Sequence, residues 1–166
     1  MKKMTIIIIF LVIIVSLVGC KTTGQPKEPP KVSINIGDKK VQYVVEKNKW
    51  NGSVYDREDT FKIITKEGLE IPFVEIGEIA EIIFKDYPPE QIKLYDILLN
   101  EKGEQIYNEK LIINVPVELK NDKVSFAINT HMASSLSSYY DPNKKDLRGF
   151  KMVASWGDNE CEYGFI

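Results

Sequence analysis

From Val32 to the C-terminus, apolar and polar residues alternate with a period of two rather than 3.6. That is the signature of half-buried strands. Lys40–Val45, Thr60–Thr65, Ala80–Phe84, Ile92–Leu98, Lys110–Ile113 and Val124–Ile128 each read as a strand, followed by two more at the end of the chain. They are rich in Ile, Val, Phe and Tyr, and between them stand Lys66-Glu67-Gly68, Asp86-Tyr87-Pro88-Pro89, Asn100-Glu101-Lys102-Gly103 and Asn121-Asp122-Lys123. Such clusters of Gly, Pro, Asn and Asp mark turns. Seven to nine short strands without a long amphipathic helix predict an all-β antiparallel sandwich. A short helical turn fits around Met132–Leu136.

The two closing segments permit a register argument. Phe150, Met152, Ala154 and Trp156 share one face of the first, and Cys161, Tyr163 and Phe165 share one face of the second. A turn centred on Asp158-Asn159 sets Trp156 opposite Cys161, Ala154 opposite Tyr163 and Met152 opposite Phe165. A three-residue loop would slip the register by one and turn one apolar set to water. Cys161 is therefore expected inside, against Trp156, with Glu160 and Glu162 on the solvent face.

Before Val32 the pattern is different. Met1-Lys2-Lys3 precedes a continuous apolar run through Val15, and Leu17-Val18-Gly19-Cys20 closes it. Ile6 to Gly19 is 14 residues, whereas a spanning helix needs about 20 and an export signal's apolar core about 7–15. The segment resembles a bacterial lipoprotein signal peptide, with Leu-Val-Gly-Cys matching the lipobox at all four positions. The resemblance implies cleavage after Gly19 and a diacylglyceryl thioether on Cys20. It also implies residence on the outer, extracytoplasmic face of the cell membrane. The expected organisation is residues 1–19 as cleaved signal, 20–31 as lipidated tether and 32–166 as one domain. Lys21–Lys31 offers three prolines and no residue suited to a core, so it reads as an extended spacer.

Composition narrows the function. Loss of Lys2 and Lys3 with the signal takes the formal net charge from −2 to −4. A mildly acidic domain is a poor ligand for nucleic acid and for anionic lipid beyond its acyl anchor. Of two cysteines, Cys20 and Cys161, lipidation consumes the first, so an intramolecular disulfide is impossible and Cys161 remains a lone thiol.

A second resemblance rests on Ile82, Phe84, Tyr87, Pro88 and Pro89, together with Arg148-Gly149-Phe150 and the closing run from Trp156 to Phe165. From Trp50 onward this resembles a group of small Gram-positive lipoproteins with a single immunoglobulin-like β domain. It implies a fold and carries no catalytic residue across.

Candidate chemistry is sparse. His131 is the only histidine, so a hydrolase would have to pair it with a serine of Ser134–Ser138, although no nucleophile elbow or Ser-x-x-Lys pair accompanies it. The alternative is a loop histidine, solvated or capping. Zinc lacks ligands, and Asp141–Asp146 departs from a calcium loop at Lys145 and Asp146. No metal or cofactor is expected. Asp56, Glu58 and Asp59 are expected to pair with Arg57 in a solvated patch. Asp96 shares the face of Ile92, Leu94 and Leu98, which predicts either the strand's exposed end or a structural bond to a turn.

Trp50, Tyr55, Tyr139 and Tyr140 lie in two loops and are the candidate recognition residues, because aromatic side chains dominate contact hot spots. The competing reading has Trp50 and Tyr55 capping the sandwich. The expected function is a lipid-anchored module binding a protein or cell-wall component through loops at one end. The alternatives are a small envelope hydrolase using His131, or a subunit that joins a partner by strand addition.

Overall fold

The structure, a computed structural model, describes residues 25–136, 141, 143 and 145–166. Ten strands form two antiparallel sheets that face one another. The four-stranded sheet has the order β2 (Lys39–Val41), β1 (Val32–Ile36), β5 (Ile79–Phe84), β8 (Lys123–Ala127). The six-stranded sheet runs β4 (Ser53–Val54), β3 (Val44–Trp50), β10 (Asn159–Phe165), β9 (Leu147–Trp156), β6 (Gln91–Leu99), β7 (Ile113–Val115). The chain is thus an all-β antiparallel sandwich, with ten strands among the described residues rather than seven to nine.

Between the sheets lies a core built on Ile34, Ile82, Phe84, Leu94, Val124, Met152, Cys161 and Tyr163. Aromatic rings organise it. Trp156 meets Trp50 edge-on at 5.8 Å and Phe84 at 6.4 Å, and Phe150 stacks on Phe165 at 5.3 Å. Such pairs add to the burial of the rings themselves.

The closing hairpin has the expected faces and a different register. Asn159 pairs with Trp156, Cys161 with Ala154 and Tyr163 with Met152. The turn is Gly157-Asp158, and Gly157 supplies its left-handed backbone at φ 57°. A shift of two residues changes partners and preserves faces, so Cys161 is still fully buried. Burial pushes its thiol from an ordinary 9.0 up to about 12, and burial also raises the Tyr163 phenol. Above pH 9.0 the unfolded chain sheds a thiol proton that the folded chain keeps until about 12. Stability should therefore fall as pH rises through that window, by up to about 1.4 kcal/mol per pH unit from this group. A thiol reagent should leave the native protein untouched and label Cys161 on unfolding; rapid labelling in the folded state would contradict this.

Two expected strands are helical. Thr60–Glu67 is α1: the Asp59 carboxylate accepts the Phe61 N–H at 2.9 Å, and Gly68 closes the helix at φ 65°. Helical winding puts Phe61 and Ile64 on one buried face. They pack with Ile97, Leu99 and Ile166 into a second apolar cluster on the outside of the six-stranded sheet. A side chain at Gly164 would strike Thr60, and one at Gly149 would strike the Phe61 ring at 2.8 Å. Those glycines let the helix lie flat on the sheet. Glu109–Leu111 is a 3-10 turn leading to β7 in place of the strand expected at Lys110–Ile113, and Met132–Leu136 is the short helical turn anticipated there.

The tether also departs from expectation. Residues 1–24 lie outside the described part, but Gln25–Lys31 lies along the domain with Pro26 and Pro30 buried. Trp50 Nε1–H donates to the Lys27 carbonyl at 2.9 Å, and the Tyr163 hydroxyl donates to the Pro30 carbonyl at 2.6 Å. Asn159 Nδ2 donates to Gln25 Oε1 at 3.2 Å, and Lys47 pairs with Glu28. Proline rings bury without giving up a donor, so a Pro-rich strap can be inlaid where an ordinary strand would leave N–H groups orphaned.

Candidate functional site

The strands run between two unlike ends. At one end, Asn159 holds Gln25, accepts the Asn51 N–H at 2.9 Å, and sits beside the turn at Gly157. At the other, β10 ends at Phe165, and Ile166 follows it. Seven residues of extended strand separate the two ends, about 20 Å at 3.3 Å per residue. The far end opens into a cleft of about 750 Å³.

Ile36, Ile128, Phe150 and Ile166 make its apolar wall. Arg148 and His131 also line it. Arg148 Nε donates to Asp96 Oδ1 at 2.8 Å, a second guanidinium nitrogen donates to Asp96 Oδ2, and Nη1 donates to the Asn129 carbonyl at 3.0 Å. The guanidinium also lies 5.7 Å from the Phe150 ring centre. Asp96 is 5 % exposed. It is structurally bonded as its place on an apolar face predicts, but to Arg148 on β9 and not to a turn, since a buried carboxylate needs a charged, hydrogen-bonded partner.

His131 is buried beside them, not solvated. Its Nδ1 accepts the Ala133 N–H at 3.2 Å, and its Nε2 faces the Asp96 carbonyl at 3.4 Å. An Nδ1 that accepts leaves the proton on Nε2. The imidazole's one lone pair is therefore spent on capping the 3-10 turn, and a general base needs that lone pair. The Ser135 hydroxyl donates to the Met132 carbonyl at 3.0 Å, and the Ser134 Oγ is buried without a partner among the described residues. Neither hydroxyl is bonded to the His131 ring; Ser134 meets His131 through its backbone N–H, which donates to the His131 carbonyl at 3.0 Å. Ser137 and Ser138 lie outside the described residues, as do Tyr139 and Tyr140.

The other recognition candidates divide. Trp50 is fully buried in β3 against Trp156, so it is a core residue and presents no ring to a ligand. Tyr55 is 42 % exposed, with the Lys47 ammonium 5.8 Å from its ring. Among the described residues no three acidic, histidine or cysteine side chains come together as a metal site.

Sequence reasoning missed the rim of the cleft. The segment between α1 and β5 crosses the far end with Ile71, Phe73 and Ile76 in water, and Met132 and Leu136 face outward from the 3-10 turn. Phe73 and Ile76 are each 61 % exposed and Met132 is 66 %. Apolar side chains gathered in water around a concavity are the usual mark of an interaction site. The signal was the run Leu69-Glu70-Ile71-Pro72-Phe73-Val74-Glu75-Ile76, an extended Pro-containing stretch with no partner strand assigned to it. On the other side of the same segment a groove of about 1060 Å³ reaches Lys39–Val44.

A buried charge cluster on the outer face of the six-stranded sheet also escaped the sequence. Glu162 is only 2 % exposed. It accepts from Arg57 Nη2 at 2.6 Å and Nη1 at 3.3 Å, and from the Thr60 hydroxyl at 2.8 Å, with Lys151 Nζ at 3.6 Å. Arg57 is thus drawn away from its acidic sequence neighbours to the sheet. Its Nε donates to Asn48 Oδ1 at 2.6 Å. These bonds fasten α1 to β10.

No protein-family model matches the chain, and no curated protein or solved structure matches it significantly.

Proposed function

We propose that this protein is a lipid-anchored extracytoplasmic module, held to the membrane through Cys20, that binds a partner protein or cell-envelope component at the end of the sandwich far from its tether. The observation that carries the reading is the gathering of Ile71, Phe73, Ile76 and Met132 in water around the cleft, opposite the docked Gln25–Pro30 strap. Four residues, Lys21 to Gly24, separate Cys20 from that strap, a reach of about 13 Å at 3.3 Å per residue. An anchored domain so closely tied presents its far end outward.

The test is made on intact cells. A photocrosslinking residue replacing Phe73 should capture a defined species, while one replacing Val54, which is 80 % exposed and close to the tethered end, should not capture it. The mature chain should also begin at Cys20 with the mass of a diacylglyceryl adduct. An unmodified Cys20 still joined to Gly19, or identical products from both crosslinking positions, would overturn the reading.

A further inference from the structure

The segment Glu67–Ile79 is a boundary between two concavities, and its composition is one-sided. It carries Glu67, Glu70, Glu75 and Glu78, with no lysine or arginine. Lys39 answers Glu78 at 3.3 Å, and the other Glu78 oxygen is buried without a partner among the described residues. Among the described residues Glu67, Glu70 and Glu75 are exposed on the surface, interleaved with Ile71 and Phe73. Across the 1060 Å³ groove stands β2, an edge strand. Ile36 and Lys39 flank the Gly37-Asp38 turn as a pair. In a two-residue hairpin that pair is hydrogen-bonded, so the next residue, Lys40, turns its N–H and C=O away from β1 and toward the free edge. The groove therefore combines an available backbone edge, apolar side chains in water and uncompensated carboxylates.

We propose that this groove receives an extended segment of a partner protein in which apolar side chains alternate with lysine or arginine. The inference rests on the reading of the far end as the docking end, and it names the chemistry of what docks. Alternation is what an added strand requires, since successive side chains face opposite ways. Basic residues are required because carboxylates outnumber cations among the described residues that line this groove: Lys39 is already engaged, leaving Lys40 against Glu67, Glu70 and Glu75, while Lys145 lies 5.0 Å from the Phe73 ring and lines the neighbouring cleft rather than the groove. A phosphate-rich or carboxylate-rich polymer would be repelled by the same wall. An acyl chain would fill the apolar part and leave the charge unanswered.

Three labelled peptides test this against the full lipidated chain in non-ionic micelles, with protein-free micelles as the blank. They alternate valine with lysine, with serine or with glutamate. The lysine peptide should bind about tenfold tighter than the serine peptide, with the margin shrinking as salt is raised. The glutamate peptide should bind weakest. The double variant Glu70→Lys/Glu75→Lys, both exposed positions, should reverse the order, and Phe73→Ala should weaken all three. Equal affinities, no binding, or an order unchanged by the double variant would overturn the proposal. Should crosslinks at Phe73 still identify a partner in that event, docking at the far end stands and only this chemistry falls.

Discussion

Replacing Arg57 by alanine is expected to destabilise the domain by about 3 kcal/mol, because it strands a buried charge. Glu162 would keep Thr60 and a longer contact to Lys151 but lose both guanidinium bonds. Breaking a buried pair from one side costs about 3–5 kcal/mol. Arg57 keeps a fifth of its side chain in water, which argues for the lower end. A loss of that size is a large share of the roughly 5–15 kcal/mol that holds a domain folded. Urea unfolding of the single variant measures it. The paired replacement Arg57→Met/Glu162→Leu should recover most of the loss, since both charges leave together. A single-variant loss below about 1 kcal/mol would place the pair among exposed salt bridges and sink the argument.

Trp50→Ala should cost about as much, roughly 3–5 kcal/mol, for a different reason. The indole is fully buried, meets Trp156 edge-on at 5.8 Å, and spends its N–H on the Lys27 carbonyl at 2.9 Å. Truncation leaves a cavity between the sheets and releases the strap. Two readouts should move together: the unfolding midpoint, and hydrogen exchange across residues 25–31, which should rise well above the parent protein. Tyr55→Ala, at a half-exposed position, should shift stability by no more than about 0.5 kcal/mol. If Trp50→Ala left stability intact and abolished only partner capture, Trp50 would be a recognition residue after all.

That contrast shows where sequence patterning stops. Trp50 and Tyr55 have the same loop-like surroundings along the chain, and nothing local separates the ring that goes in from the one that stays out. Thr60–Thr65 is a similar case. Its β-branched residues favour a strand, while Asp59 before it and Gly68 after it are the capping residues of a helix. The second signal was the true one, because winding brings Phe61 and Ile64 together on a face that Gly149 and Gly164 leave room to receive. Glu162 follows from the same event. On a strand it points outward, and an outward carboxylate reads as solvated until a helix covers it.

The alternation from Val32 onward determined the antiparallel sandwich and the inward set of strand faces. It placed Cys161 in the core even though the turn sits one residue earlier than expected, because a two-residue shift of register preserves the face. The bonding of Asp96 was equally legible, since a carboxylate among apolar neighbours must find a partner. Tertiary structure alone decided the rest: that α1 covers Glu162, that the Pro-rich strap is inlaid over Trp50, and that Ile71, Phe73 and Ile76 remain in water at the far end. Period-two patterning reports which side of a strand a residue occupies. What lies against that side, be it water, a helix or a returning strap, is set by contacts between residues distant in sequence, and local pattern holds no record of them.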